Sequence, residues 1–189
     1  MIGAITAGLY GAPVPPVTNS YESIATVTVG AGGSTSIDFS SIPSTFKHLQ
    51  IRGIGKVNGT GSDFPDFFIR YNGDSTYTNY YSHQLGGDGS SAYASNSGGS
   101  STATGGITGD ISGAQMTAKV IDILDYTNTS KNTTTRALSG WDNNGSGQVR
   151  FASSVWLNTA AVTSISLVVR SSPTTMSQYT SFALYGIKG

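Results

Sequence analysis

The chain has 189 residues, with 10 basic and 10 acidic side chains, a formal net charge of +0 and no cysteine. Only 11% of residues are charged, while Gly (25), Ser (28) and Thr (23) dominate and Glu22 is the sole glutamate. So few strong helix formers exclude a helical bundle, ten scattered cations argue against a phosphate-binding surface for nucleic acid, and the lack of cysteine removes disulfides, thiol catalysis and Cys-ligated zinc.

In chain order, residues 1–20 come first and carry no charge as far as Thr18. Glycines at 3, 8 and 11 interrupt the apolar stretch, which is too short to span a bilayer and lacks the basic start of a secretory signal. It reads instead as an extended docking arm. Ile2, Ile5, Leu9 and Tyr10 are the apolar anchors, and Pro13, Pro15 and Pro16 hold the exit extended and limit the entropy lost on docking. Membrane insertion is not expected.

Residues 21–189 read as a single β domain. Tyr21–Val29 alternates, and Gly30–Gly33 turns it into Ser34–Phe39, a hairpin by spacing. Phe46–Ile54 follows the Ile42-Pro43-Ser44 break. Phe67–Tyr71 and Tyr77–Leu85 flank Asn72-Gly73-Asp74, a second hairpin signature. Residues 86–106 are almost wholly Gly, Ser, Ala, Thr and Asn, and with no apolar face to bury they read as a long exposed loop. Thr117–Leu124, Thr133–Leu138, Gln148–Leu157, Val162–Arg170 and Thr180–Ile187 complete the set, with a tight turn at residues 142–145. About ten short strands punctuated by turns predict an all-β antiparallel sandwich, jelly-roll-like with two packed four-stranded sheets.

Catalytic signals are thin. His48 and His83 are the only imidazoles, and nothing surrounds a serine as in an activated nucleophile. Asp63/Asp66 and Asp122/Asp125 are the carboxylate pairs a polysaccharide-degrading enzyme would need, but turn capping explains them equally well. Asp88 lies in a Gly-rich turn without calcium-ligand spacing. No catalytic residue, metal site or cofactor is expected. The surface feature with content is aromatic: Tyr77, Tyr80, Tyr81 and Tyr93 cluster in sequence with Asn79, His83 and Gln84, and Trp141 stands beside a turn. Rings with amides suit glycan contact. The bland alternative makes Tyr77 and Tyr81 core aromatics on one strand face, and Trp156 reads as core.

The segments SIPSTFKHLQIRG (41–53), IDILDYTNTSKNTTTRALSGWDNNGS (121–146) and FALYGIK (182–188) resemble small virion structural proteins of tailed bacteriophages, notably marine and cyanobacterial ones. MIGAITAGLYG and TNSYESIATVTVGAGGSTSIDFSSIPS at the start resemble the same group. The resemblance covers nearly the whole chain and rests on structural rather than catalytic segments. It implies a part on the exterior of the virion, as a tail fibre or a capsid-surface protein. The expectation is a short tail-fibre or attachment component, a homotrimer, whose arm docks to tail or baseplate proteins and whose domain faces host surface glycan. The alternative is a decoration protein gripping the major capsid protein.

Overall fold

The computed structural model describes residues 20–58, 66–100, 102–107, 115–142, 144–169 and 175–189. The docking-arm anchors Ile2, Ile5, Leu9, Tyr10, Pro13, Pro15 and Pro16 lie outside the described residues, as does Asp63. Among the described residues there is no helix. The strands are β1 (Tyr21–Thr28), β2 (Ser36–Phe39), β3 (His48–Gly55), β4 (Val57–Asn58), β5 (Asp66–Tyr71), β6 (Tyr80–Gly87) and β7 (Ala92–Ser100) in the first half. The second half contributes β8 (Ala103–Ile107), β9 (Thr117–Leu124), β10 (Thr133–Asp142), β11 (Gly147–Trp156), β12 (Ile165–Val169), β13 (Thr175–Met176) and β14 (Ser181–Ile187).

These strands form an eight-stranded sheet in the order β1-β14-β3-β9-β10-β11-β6-β7, a four-stranded sheet β2-β12-β5-β8, and the small pair β13-β4. Every pairing is antiparallel. The all-β sandwich is therefore as the sequence predicts, while the sheets hold eight and four strands rather than four and four.

Two turns expected to close hairpins instead carry the chain from one sheet to the other. β1 pairs with β14 and β2 with β12, so the Gly30–Gly33 turn changes layer. β5 lies in the small sheet and β6 in the large one, so the turn at Asn72 (φ 50°) and Gly73 (φ 70°) does the same. Local alternation specifies a strand and its apolar side, and either a hairpin or a layer change satisfies it. The stretch 86–106 is a further correction. Most of it is strand: β7 continues the hairpin with β6, and β8 pairs with β5.

The core lies between the two larger sheets. Ile37, Phe39, Phe67, Ile69, Ile165 and Leu167 from the small sheet meet Leu49, Ile51, Ile121, Ile123, Phe182 and Leu184 from the large one. Phe67 and Phe182 pack edge to face with centroids 5.4 Å apart. At the β6–β11 end the core turns aromatic and polar. Tyr71, Tyr80 and Trp156 are all essentially fully buried, with Tyr71 5.5 Å from Trp156 and Tyr80 6.5 Å from Trp156, centroid to centroid.

One carboxylate ties this cluster. Asp74 Oδ2 accepts from Trp156 Nε1 at 2.7 Å and from Asn79 Nδ2 at 2.8 Å, and Oδ1 accepts from Thr76 N at 2.9 Å. The Tyr80 hydroxyl donates to Asp74 O at 3.0 Å while accepting from Tyr71 N at 3.1 Å. Burial pushes the Tyr80 phenol up to about 12, so it remains a donor. Burial also acts to raise the Asp74 carboxyl, but the hydrogen bonds from Asn79, Trp156 and Thr76 outweigh it and hold the group well below the usual carboxylate range.

A carboxyl depressed in the folded state stabilises the fold above its unfolded pKa, and that contribution is lost as pH falls through the folded value. Asp74→Ala should cost about 1–3 kcal/mol, because it leaves the buried Trp156 N–H without an acceptor. In urea melts from pH 7 down to pH 2, the wild-type chain should lose stability below about pH 4. Asp74→Ala should show a shallower decline.

Candidate functional site

Because Tyr80 and Trp156 point inward, alternation sends the odd-numbered residues of β6 and β11 outward. The outer face of the eight-stranded sheet is consequently laid out in rows that the register fixes. One row runs Val120–Leu138–Phe151–Leu85–Ala94 across β9, β10, β11, β6 and β7. The next runs Ile54–Ala118–Gly140–Val149–Gly87–Ala92 from β3 to β7. Val149 is 60% exposed, Leu85 58%, Leu138 52% and Phe151 46%. From β9 to β7 neither row contains an ionisable side chain.

Two shallow depressions lie in this band, each bordered by polar residues as well. One is bounded by Leu85, Ala94 and Phe151, the other by Ile54, Val120, Leu138 and Val149. A contiguous apolar band of this kind exceeds what scattered surface hydrophobics produce. Covering the remaining exposed half of each large side chain would contribute roughly 1 kcal/mol apiece.

A polar row fences the band: Tyr185–Gln50–Asp122–Arg136–Ser153–His83–Asn96. Gln50 Nε2 donates to Asp122 Oδ1 at 2.6 Å, and Arg52 Nε donates to Gln50 Oε1. The Arg52 guanidinium lies 5.1 Å over the Tyr21 ring. Polar residues thus form a rim along one side of an apolar centre, the arrangement of a protein–protein contact.

Opposite this face, the inner side of β9–β11 and β6 is unusually hydroxylated. Tyr71 and Thr135 share a hydroxyl hydrogen bond, and Ser82 and Ser154 share another at 2.8 Å. Thr117, Thr133 and Ser139 are also buried. Small hydroxyl residues fill this side because the large Tyr71 and Trp156 rings and strand β8 occupy the space above them, while larger aliphatics go outward.

The five aromatic candidates separate. Tyr80 is completely buried, because its hydroxyl is committed to Asp74 and Tyr71, so it offers no ring to a ligand. Tyr93 is half-buried; its ring lies over Gly86, where a Cβ would stand 2.3 Å from the phenol oxygen, and its hydroxyl accepts from Arg150 Nε at 3.0 Å. Trp141 is likewise half-buried, with its indole N–H buried and lacking a partner. It borders a recess of about 350 Å³ between the turns at Asp88 and Gly145.

Tyr77 and Tyr81 are exposed, at 69% and 39%. They do not share a strand face, since Tyr77 precedes β6 in a loop. Tyr81 stands on the outer face opposite Gly98. Tyr77 lies against Gly99, whose absent Cβ would be 3.1 Å from the ring. Gly99 has φ 65° and is the extra residue where the β6–β7 register shifts, a bulge position that suits glycine.

The carboxylate pair Asp122/Asp125 is divided by function. Asp122 takes the Gln50 amide on the outer face, whereas Asp125 is paired with Lys47 at 2.8 Å and with Lys131. Hydrogen bonding from Lys131 and Lys47 holds the Asp125 carboxyl down at about 2. His48 Nδ1 accepts from Asp125 N at 2.9 Å, which places its proton on Nε2. Asp88 caps its own turn, accepting from Ser90 N and Ser91 N. Among the described residues no three His, Cys, Asp or Glu side chains gather as a metal site. No family model, curated protein or solved structure matches the chain.

If the outer band is a surface rather than core, Leu138→Ser with Phe151→Ser should lower the unfolding free energy in urea by only about 1 kcal/mol per site, the worth of the half of each side chain already covered, against about 2–5 kcal/mol for a core truncation. The same pair should reduce binding of an apolar dye such as anilinonaphthalene sulfonate. A collapse of stability instead would place those side chains in the core.

Proposed function

We propose that this chain is a non-enzymatic structural component of a tailed-phage virion, placed on the particle exterior as a short tail-fibre or attachment part. The observation that carries this reading is the uncharged apolar band across the outer face of the eight-stranded sheet, joined to a chain that also begins with an uncharged apolar stretch. A neutral protein with such a face is poorly suited to remaining dispersed and well suited to being built into an assembly. The partner surface it fits is itself apolar and uncharged, as on a neighbouring tail or baseplate subunit. The resemblance of the sequence to virion proteins supports the same conclusion, and the trimeric state follows from that resemblance and from the symmetry of virion appendages.

The division of the carboxylates between a glutamine and two lysines supports a non-enzymatic role, because neither Asp122 nor Asp125 is left as a free acid or base. A second reading, decoration of the capsid, is favoured by the breadth of the apolar face. The six paired strands from β3 to β7 that carry it span about 24 Å, a surface that could lie flat on a lattice.

Immunogold labelling of purified particles with antibody to this chain should mark the tail tip or baseplate. Labelling over the head would replace the tail-fibre reading with the decoration reading, and unlabelled particles would remove both. Deleting residues 1–18 should yield a folded domain that no longer joins the particle; normal incorporation would remove the docking role of the arm.

A further inference from the structure

A second concavity lies away from the apolar face. It is a polar recess of about 470 Å³, lined by Phe68 and Arg70 of β5, Thr104 of β8, Gln84 of β6, Ser100 of β7, and Tyr77. Its size falls within the range of small-molecule sites, and its lining brings several polar groups together beside Phe68, Val168 and Val169.

Two of those groups are incompletely satisfied. Arg70 Nε is buried without a hydrogen-bond partner, and so is Gln84 Oε1. Gln84 spends its Nε2 on Ser95 Oγ at 2.6 Å. Reversing the amide would only exchange which of its two atoms is left over. Among the described residues no carboxylate pairs with Arg70. In strand register the nearest acidic residue across the sheet is Asp38, two strands away beyond Ser166, and its carboxylate accepts from Ser36 Oγ at 2.6 Å. A permanently charged guanidinium with a buried, unmatched N–H is costly unless an acceptor reaches it.

We infer that this recess binds an acidic saccharide residue, with the sugar carboxylate on Arg70, ring hydroxyls on Gln84, Ser100 and Thr104, and the pyranose face against Tyr77. Guanidinium and carboxylate match as planar forks, which a lysine could not reproduce. The Gln84 amide and the Ser and Thr hydroxyls offer both donors and acceptors, as sugar hydroxyls require. Tyr77, seated on Gly99 at the exposed side, presents an apolar ring at low entropic cost. The inference rests on the attachment reading for its biological purpose, but the site itself is testable on the isolated chain.

The experiment is a titration of the purified full-length protein with methyl α-galacturonide, followed by proton–nitrogen NMR. Methyl α-galactoside, sodium acetate and sodium sulfate serve as matched probes. Saturable shifts are expected at the Gln84 side-chain amide and the backbone amides of Ser100 and Thr104. The uronide should bind at least tenfold more tightly than the neutral galactoside or acetate. Arg70→Gln should lose at least tenfold in affinity with the fold intact, and Arg70→Lys should recover only part of it. Should Arg70→Gln fail to fold, Tyr77→Ala, at an exposed position, should still weaken the uronide several-fold.

Equal affinity for uronide and galactoside would overturn the proposal, as would acetate or sulfate binding as tightly as the uronide. Shifts confined to the outer face, or no saturable shift at all, would also overturn it and leave a water-filled recess. None of these outcomes depends on where the chain sits on a particle, so failure here is separate from failure of the virion assignment.

Discussion

The Asp74 carboxylate is the constraint on which the rest of the molecule turns. It sits in the connection between β5 and β6, where the chain passes from the small sheet to the large one, and it holds the indole of Trp156 on β11. Through Asp74 O and Tyr71 N, the Tyr80 hydroxyl links the same turn to the last residue of β5. Three rings and one anion thereby fasten the two sheets together at one end. The contact also settles an ambiguity of phase. With Tyr80 and Trp156 held inward, a one-residue slip in β6 would bury Leu85 and expel Tyr80, and a slip in β11 would bury Val149 and Phe151 and expel Trp156. The fold keeps the rings inside, and the aliphatic and phenyl side chains go outward.

That choice has a functional consequence. Over β10, β11 and β6 the inner side carries many small hydroxyls and the outer side carries Leu, Val and Phe, the reverse of an ordinary half-buried sheet, while β3, β9 and β14 keep their aliphatic and phenyl side chains inside. The inner hydroxyls are not wasted, because Ser82 and Ser154 pair with each other and Tyr71 pairs with Thr135. The outer apolar residues have no comparable use in the monomer. In the proposed assembly they are the contact for a neighbouring subunit, and the polar rim from Gln50 to His83 along one side would orient it.

Much of the architecture was legible in the sequence. Alternation located nearly every long strand, and the excess of Ser, Thr and Gly over helix formers fixed the all-β class. Trp156 was recognisable as core. Layer changes at residues 30–33 and 72–74 were not legible, because a turn between two alternating strands has the same local signature whether it closes a hairpin or joins two sheets. The stretch 86–106 was misleading for a different reason. Its glycines carry no apolar side chain of their own, yet Gly86, Gly98 and Gly99 are seats for the rings of Tyr93, Tyr81 and Tyr77. Periodicity cannot register a residue whose contribution is the space it leaves. Of the aromatic candidates, Tyr80 gives no sign of its burial in the sequence, because its partner, Asp74, is six residues away and only a folded turn brings them together. The outer band was partly visible as Leu138, Val149 and Phe151, but apolar residues on strands are ordinarily assigned to the core, and only the register shows that they face out.

Under the proposed virion role, the outer face of the eight-stranded sheet is the surface that a neighbouring subunit of the particle would cover. Hydroxyl-radical footprinting, applied to the free protein and to intact particles, measures that directly at Leu85, Leu138 and Phe151. All three should be oxidised readily in the free chain and protected at least several-fold in the particle, while the exposed Tyr179 outside the band serves as the comparison. Equal oxidation of the three residues in both states would contradict the central claim.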